Sequence, residues 1–142
     1  MRIENSPEGR VQFHNIQDAV PVVGHYSHAC ELPGGVIYLS GQKAWDPKTG
    51  KLIDGDMTAQ VDLIFKNLKE ILAALGLELD AITRISCYLA DVDAYQVFNE
   101  AYAKNLGDHR PARTVISGCA LRGGALVELV AEAFRTRTVL HR

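Results

Sequence analysis

Apolar residues between Met57 and Leu75 recur every three or four positions: Val61, Ile64, Phe65, Leu68, Ile71, Leu72 and Leu75. That period lines them up on one face, so the spacing predicts an α-helix over 57–75. Asp56 or Thr58 can cap its start with a side-chain oxygen, and Gly76 can end it in the left-handed conformation. A second helical pattern runs from Asp93 to Leu106, with Ala94, Val97, Phe98, Ala101 and Tyr102 as its apolar side and Gly107 as its stop. The other apolar stretches alternate or run continuously and read as strands: Val11 to His14, Val22 to Leu32, Val36 to Ser40, Ala81 to Leu89, Thr114 to Ser117 and Leu126 to Phe134. Pro33-Gly34-Gly35 makes a hairpin of the second and third. Asp46-Pro47-Lys48-Thr49-Gly50 is a turn, and Arg122-Gly123-Gly124 joins the last two strands.

This order predicts an α+β layer architecture, a mixed sheet with two helices packed on one face. The last strand is apolar on both faces: Leu126, Val130 and Phe134 on one, Val127, Leu129, Ala131 and Ala133 on the other. Both faces are therefore expected to be covered, one of them by a partner subunit. No repeat or linker splits residues 1–142, which read as one domain whose polar first ten residues are loosely ordered.

Composition changes this picture little but excludes several classes. A net charge of -2 gives no electrostatic case for nucleic acid or an anionic membrane. No apolar run approaches the ~18 residues of a transmembrane helix. Met1 to Pro7 lacks the apolar core of a secretory signal. Cys30, Cys87 and Cys119 have no paired spacing, which fits reduced thiols in a cytoplasm.

Candidate chemistry centres on Arg110-Pro111-Ala112-Arg113-Thr114-Val115-Ile116 and Leu126-Val127-Glu128-Leu129-Val130. Arg113 heads an apolar strand and can grip a carboxylate with two parallel bonds; a structural ion pair is the alternative. Glu128 lies in the next strand, where it can sit beside Arg113 in one cleft. As an acid in an apolar strand it must be paired, with Arg113 or Arg84, or have a raised pKa suited to acid–base work. Tyr26 is either a cleft residue or an amphipathic core tyrosine. Ser40-Gly41-Gln42 ends a strand, and Gly41 permits close backbone approach to a ligand. Trp45 is expected to pack, with a rim contact as the alternative. His25, His28 and Cys30 look metal-like, but no fourth ligand is evident, and no metal is expected.

Pro111-Ala112-Arg113, Val127-Glu128-Leu129, Tyr38-Leu39-Ser40-Gly41-Gln42 and Asp46 to Gly50, in this order and spacing, resemble the YjgF/Rid family of reactive-intermediate imine deaminases. The resemblance runs from about Gly24 to Phe134. It implies a chorismate-mutase-like fold and a homotrimer with a central barrel and sites between subunits. It further implies that Arg113 holds the carboxylate of an imino acid and that Glu128 positions the attacking water. Tyr26 would close the cleft, with His25 in the proline place of a Gly-Pro-Tyr-Ser segment, and Asn99 matches an asparagine near the site. On sequence alone Asn99 reads as a surface polar residue. Two departures stand out. The cysteine many members carry two residues after the arginine is Val115 here, and the acid often found two residues after the glutamate is Val130, with Glu132 next on that face.

The expected activity is hydrolysis of small 2-imino acids, derived from 2-aminoacrylate, to 2-keto acid and ammonia, without cofactor or metal. The alternatives are a pathway-specific deaminase of a larger acid such as 2-aminomuconate, or a non-catalytic, chaperone-like trimer that binds small acids. Some relatives are named endoribonucleases, but the acidic balance and the lack of a basic stripe argue against RNA as a partner.

Overall fold

The computed structural model describes residues 9–136. Strands β1 (Gln12–His14), β2 (Ala29–Glu31) and β3 (Val36–Leu39) come first, then helix α1 (Met57–Ala74), β4 (Ile82–Leu89), α2 (Tyr95–Leu106), β5 (Ala112–Ile116) and β6 (Val127–Phe134). The loose start expected over 1–10 lies, for residues 1–8, outside the described residues.

Both helices form where the apolar period predicts. Asp56 caps α1, its carboxylate accepting from the Ala59 N–H at 2.9 Å. Gly76 adopts φ 75°, and the Leu77 N–H closes back on the Leu72 carbonyl at 2.8 Å, the left-handed helix ending that only glycine adopts without strain. Val61, Ile64, Phe65, Leu68, Ile71 and Leu72 are fully buried under the sheet. Each such side chain contributes about 1.5–3 kcal/mol relative to exposure. On α2, Phe98, Ala101 and Tyr102 are buried, but Val97, expected on the apolar side, is exposed. The buried stripe continues instead through Leu106, which recurs at helical spacing from Phe98 and Tyr102.

The six strands form one sheet in the order β1-β2-β3-β6-β4-β5. β5 pairs with β4 in parallel, and every other pairing is antiparallel. β6 thus inserts between β3 and β4 and does not pair with β5. Ile85, Cys87 and Leu89 of β4 and Val127, Leu129, Ala131 and Ala133 of β6 face the helices and are buried. Alternation sends Glu128, Val130, Glu132 and Phe134 to the opposite, open face. Helices on one face of a mixed sheet are the expected α+β arrangement.

One predicted strand is much shorter. Only Ala29–Glu31 of the Val22–Leu32 stretch joins the sheet. The backbone before it bonds locally: the Tyr26 N–H reaches the Gly24 carbonyl and the Val23 N–H reaches the Tyr26 hydroxyl. His28, whose spacing suggested a metal ligand, instead ties down this segment. One of its ring nitrogens accepts from the Ile16 N–H and the other donates to the Val20 carbonyl.

Candidate functional site

The candidate residues fall into two clefts. In the first, of about 800 Å³, Tyr26, Ser40, Gly41 and Glu128 come together. β3 ends at Leu39, and the next residues cross to β6, where Gln42 and Leu129 exchange both backbone hydrogen bonds at 2.8 and 2.9 Å. That bridge puts Gly41 directly under Glu128. A Cβ on Gly41 would lie 2.8 Å from Glu128 Oε1, so a larger residue there would displace the carboxylate from this position. Ser40 Oγ donates to the Ser27 carbonyl at 2.6 Å, pinning the Tyr26 segment across the cleft mouth. Glu128 is half-buried, and among the described residues it has no ion-pair partner. Its cross-strand neighbour is Tyr88, whereas Arg84 stands opposite Glu132.

The second cleft, of about 380 Å³, is lined by Arg113, Asn99, Tyr102, His109, Arg110 and Pro111 among others. Arg113 stands opposite Ile85 on the helix side of edge strand β5 and reaches α2. It donates from Nη1 to Asn99 Oδ1 at 2.7 Å and from Nη2 to the Tyr95 hydroxyl at 2.9 Å. Its guanidinium lies 4.9 Å from the Tyr102 ring centre and 5.8 Å from that of Tyr95. Neutral oxygens and ring faces therefore orient the cation without neutralising it. Two of the five donors of a guanidinium are used, leaving others for a ligand carboxylate. No carboxylate pairs with it among the described residues, so the structural ion pair weighed for Arg113 is not what forms.

Within one chain, the expectation that Glu128 sits beside Arg113 is overturned. β4 lies between their strands, and the two side chains occupy opposite faces of the sheet. The chain's order misled here: β5 and β6 are consecutive in sequence, but β6 pairs with β4 and β3. Val115 shares Arg113's face, opposite Cys87, and packs against the core. Burial pushes the Cys87 thiol up to about 12, an effect Arg113 only partly offsets, so neither residue offers a reactive thiolate there.

Sequence reasoning missed Tyr95 as an Arg113 partner and read Tyr102 as core alone. The signal was present: Tyr95, Asn99 and Tyr102 recur four and three residues apart, one stripe of a helix. Trp45 is buried yet also forms part of the first cleft's wall, together with Lys43, Lys51, Leu52 and Arg122.

The Endoribonuclease L-PSP family description matches residues 16–135. The chain belongs to this family, the YjgF/Rid proteins. It is 33% identical to a RutC family protein of Pyrococcus horikoshii over 119 residues, 84% of this chain and 94% of that one. It is also 33% identical over 113 residues to the human 2-iminobutanoate/2-iminopropanoate deaminase, covering 80% of this chain and 82% of the human protein. Among solved structures it resembles RidA from the Antarctic bacterium Psychrobacter, with a TM-score of 0.80 and 33% identity over 87% of this chain and 99% of that one. The fold is that of the YjgF/Rid family, which includes imine deaminases. No helix among the described residues is long and apolar enough to cross a membrane.

Proposed function

We propose that this protein is a hydrolytic deaminase of 2-imino acids, assembled as a homotrimer in the cytoplasm, and that each site joins the Arg113 cleft of one protomer to the Glu128 cleft of another. One observation carries the reading: Arg113 is held by Asn99, Tyr95 and Tyr102 with its charge uncompensated, as a carboxylate receptor requires. The human relative at 33% identity is named for this reaction. Three free thiols suit a reducing compartment. The open sheet face exposes Phe13 (67%), Ile116 (47%), Tyr38 (46%) and Phe134 (41%), a surface that a second copy would cover.

The chemistry follows from these groups. Arg113 pins the substrate carboxylate, which removes orientational freedom before reaction. Glu128 accepts a proton from water as its oxygen attacks the imine carbon. Glu128 returns that proton to the nitrogen to give a carbinolamine, then moves the hydroxyl proton to the nitrogen as the C–N bond breaks, so ammonia and a 2-keto acid leave and Glu128 is again a carboxylate. Tyr26 and the Gly41 N–H line the pocket where the substrate oxygens sit. No metal or organic cofactor is needed, because an imine is already activated towards water.

Subunit complementation tests both halves together. Arg113→Ala and Glu128→Gln, each purified alone, are expected to be inactive trimers by light scattering and by ammonia release from freshly generated 2-iminopropanoate. Dissociated, mixed and refolded together, they would form hybrids in which some sites pair an intact Arg113 with an intact Glu128, and activity would return. Mixed trimers that stay inactive would defeat the shared-site reading.

A further inference from the structure

The first cleft carries more charge than a single acid–base carboxylate explains. Lys43, Lys51 and Arg122 all line it, and Glu128 is its only carboxylate. Among the described residues none of the three cations is ion-paired. They are also set in a firm frame. The loop bearing Lys43 and Lys51 closes on itself through Asp46 N–H to Lys51 carbonyl (2.8 Å), Gly50 N–H to Asp46 carbonyl (2.8 Å) and Ile53 N–H to Ala44 carbonyl (2.9 Å). Asn67, fully buried on α1, donates to the Trp45 carbonyl at 2.9 Å and fixes the loop to the core. Leu52 packs so tightly on the turn bearing Arg122 that a Cβ on Gly123 would lie 2.6 Å from Leu52 Cδ1. Lys43 Nζ sits 5.7 Å from the Trp45 ring centre. The same wall includes Trp45, Leu52 and Val23.

A cleft in which three cations face one carboxylate has an excess of positive charge and selects anions. About 800 Å³ lies within the ~300–1,000 Å³ of pockets for drug-sized ligands, more than a three-carbon imino acid fills. Arg113 already accounts for the carboxylate next to the imine. We propose that Lys43, Lys51 and Arg122 form a second anion subsite, so that the preferred substrate is a 2-imino dicarboxylic acid, with a carbon spacer against Trp45 and Leu52 and a tail carboxylate among the three cations. This rests on the deaminase reading above and adds to it the class of substrate. The hydrolysis is unchanged; the tail carboxylate only binds.

The test compares ligands of equal chain length that differ at the tail. Binding of 2-oxoglutarate and 2-oxopentanoate is measured by calorimetry on the intact assembly, alongside turnover of the imines made in place from glutamate and norvaline by amino-acid oxidases. The wild type is expected to favour the tail carboxylate by roughly 10–100-fold, the size of one charge-assisted contact. Arg122→Ala with Lys51→Ala should close that gap, while Arg122→Lys, which keeps the charge, should preserve most of it. Arg113→Ala should weaken both ligands together. Equal wild-type affinity for the two acids would overturn the subsite and leave the deaminase reading to stand on turnover of the short imine. A gap that survives loss of both cations would overturn it too. So would double variants that dissociate with selectivity intact, since the cations would then be partners of a neighbouring subunit.

Discussion

Arg113 and Arg135 are two strand-end arginines with opposite situations. Arg135, just beyond β6, donates to Glu31 from Nε at 2.8 Å and from Nη2 at 3.2 Å, and from Nη1 to the Leu75 carbonyl at the end of α1 at 2.8 Å. Its charge is answered by a carboxylate and by the negative end of a helix. The two partners shift each other, Arg135 holding the Glu31 carboxyl below its ordinary value and Glu31 raising the guanidinium. Arg113 is also held, but by an amide oxygen, a phenol and two ring faces. The difference teaches how to tell a structural arginine from a receptor: what matters is whether an anion is already in place.

Truncating the two should therefore break different things. Arg113→Ala is expected to cost two to four decades of turnover, from two charge-assisted contacts at roughly 1.5–3 kcal/mol each. Its melting temperature should hardly move, because the side chain is exposed and touches only α2. Arg135→Ala should do the reverse, losing about 1.5–3 kcal/mol of stability while the folded fraction keeps near-normal turnover. Ammonia release and denaturant melts on both variants check this. A strongly destabilised Arg113→Ala protein would erase the distinction.

The comparison sharpens in acid. Glu31 has its carboxyl lowered from an ordinary value of 4.5, chiefly by Arg135 and further by His14 at 3.0 Å. A lowered acid contributes stability that is fully present above the ordinary value and is lost as pH falls through the lower, folded one. Stability should thus fall as pH drops below about 4.5, and Glu31→Gln should flatten that acid limb while lowering stability at neutral pH. Equal acid slopes for the two proteins, in urea melts across that range, would mean that Glu31 is not the linked group.

Much of this was legible in the chain, for physical reasons that also mark where reading stopped. Helix α1 was legible because seven apolar residues at one period leave little choice of face, and its caps need the side chains found there. Arg113, Glu128, Tyr26, Ser40, Gly41 and Asn99 were legible as site candidates, and the structure gathers them into two clefts. Their separation was not legible. Local patterning fixes which face a residue takes on its own strand, but strand order is decided by long-range pairing, and β6 pairs with β3 and β4 rather than with β5. The 22–28 segment carried strand-like residues, yet its backbone found partners in Tyr26 and Gly24 and in the Ser40 N–H that reaches the His28 carbonyl. The cations of the first cleft left no periodic trace, because they come from two separate turns.

The smallest effect isolates how Arg113 is held. Tyr95→Phe removes one phenol from the guanidinium and keeps the ring that lies 5.8 Å from it. Tyr95 is a positioning residue here: it touches Arg113, and the ligand only through it. The phenol accepts from a charged donor but only orients it, and at this exposed site water can replace it, so about 0.5–1.5 kcal/mol is expected to reach the ligand, and KM for the imine and the dissociation constant of an unreactive keto acid should rise together by roughly 2–13-fold. kcat should stay close to the wild-type value, since Glu128 and its water lie in the other cleft. A merely structural tyrosine would lower the melting temperature and leave the ratio of KM to kcat alone. Measuring KM, kcat, ligand affinity and melting on this variant separates the cases. An unchanged affinity would show that Asn99 and the Tyr102 ring orient Arg113 without the phenol.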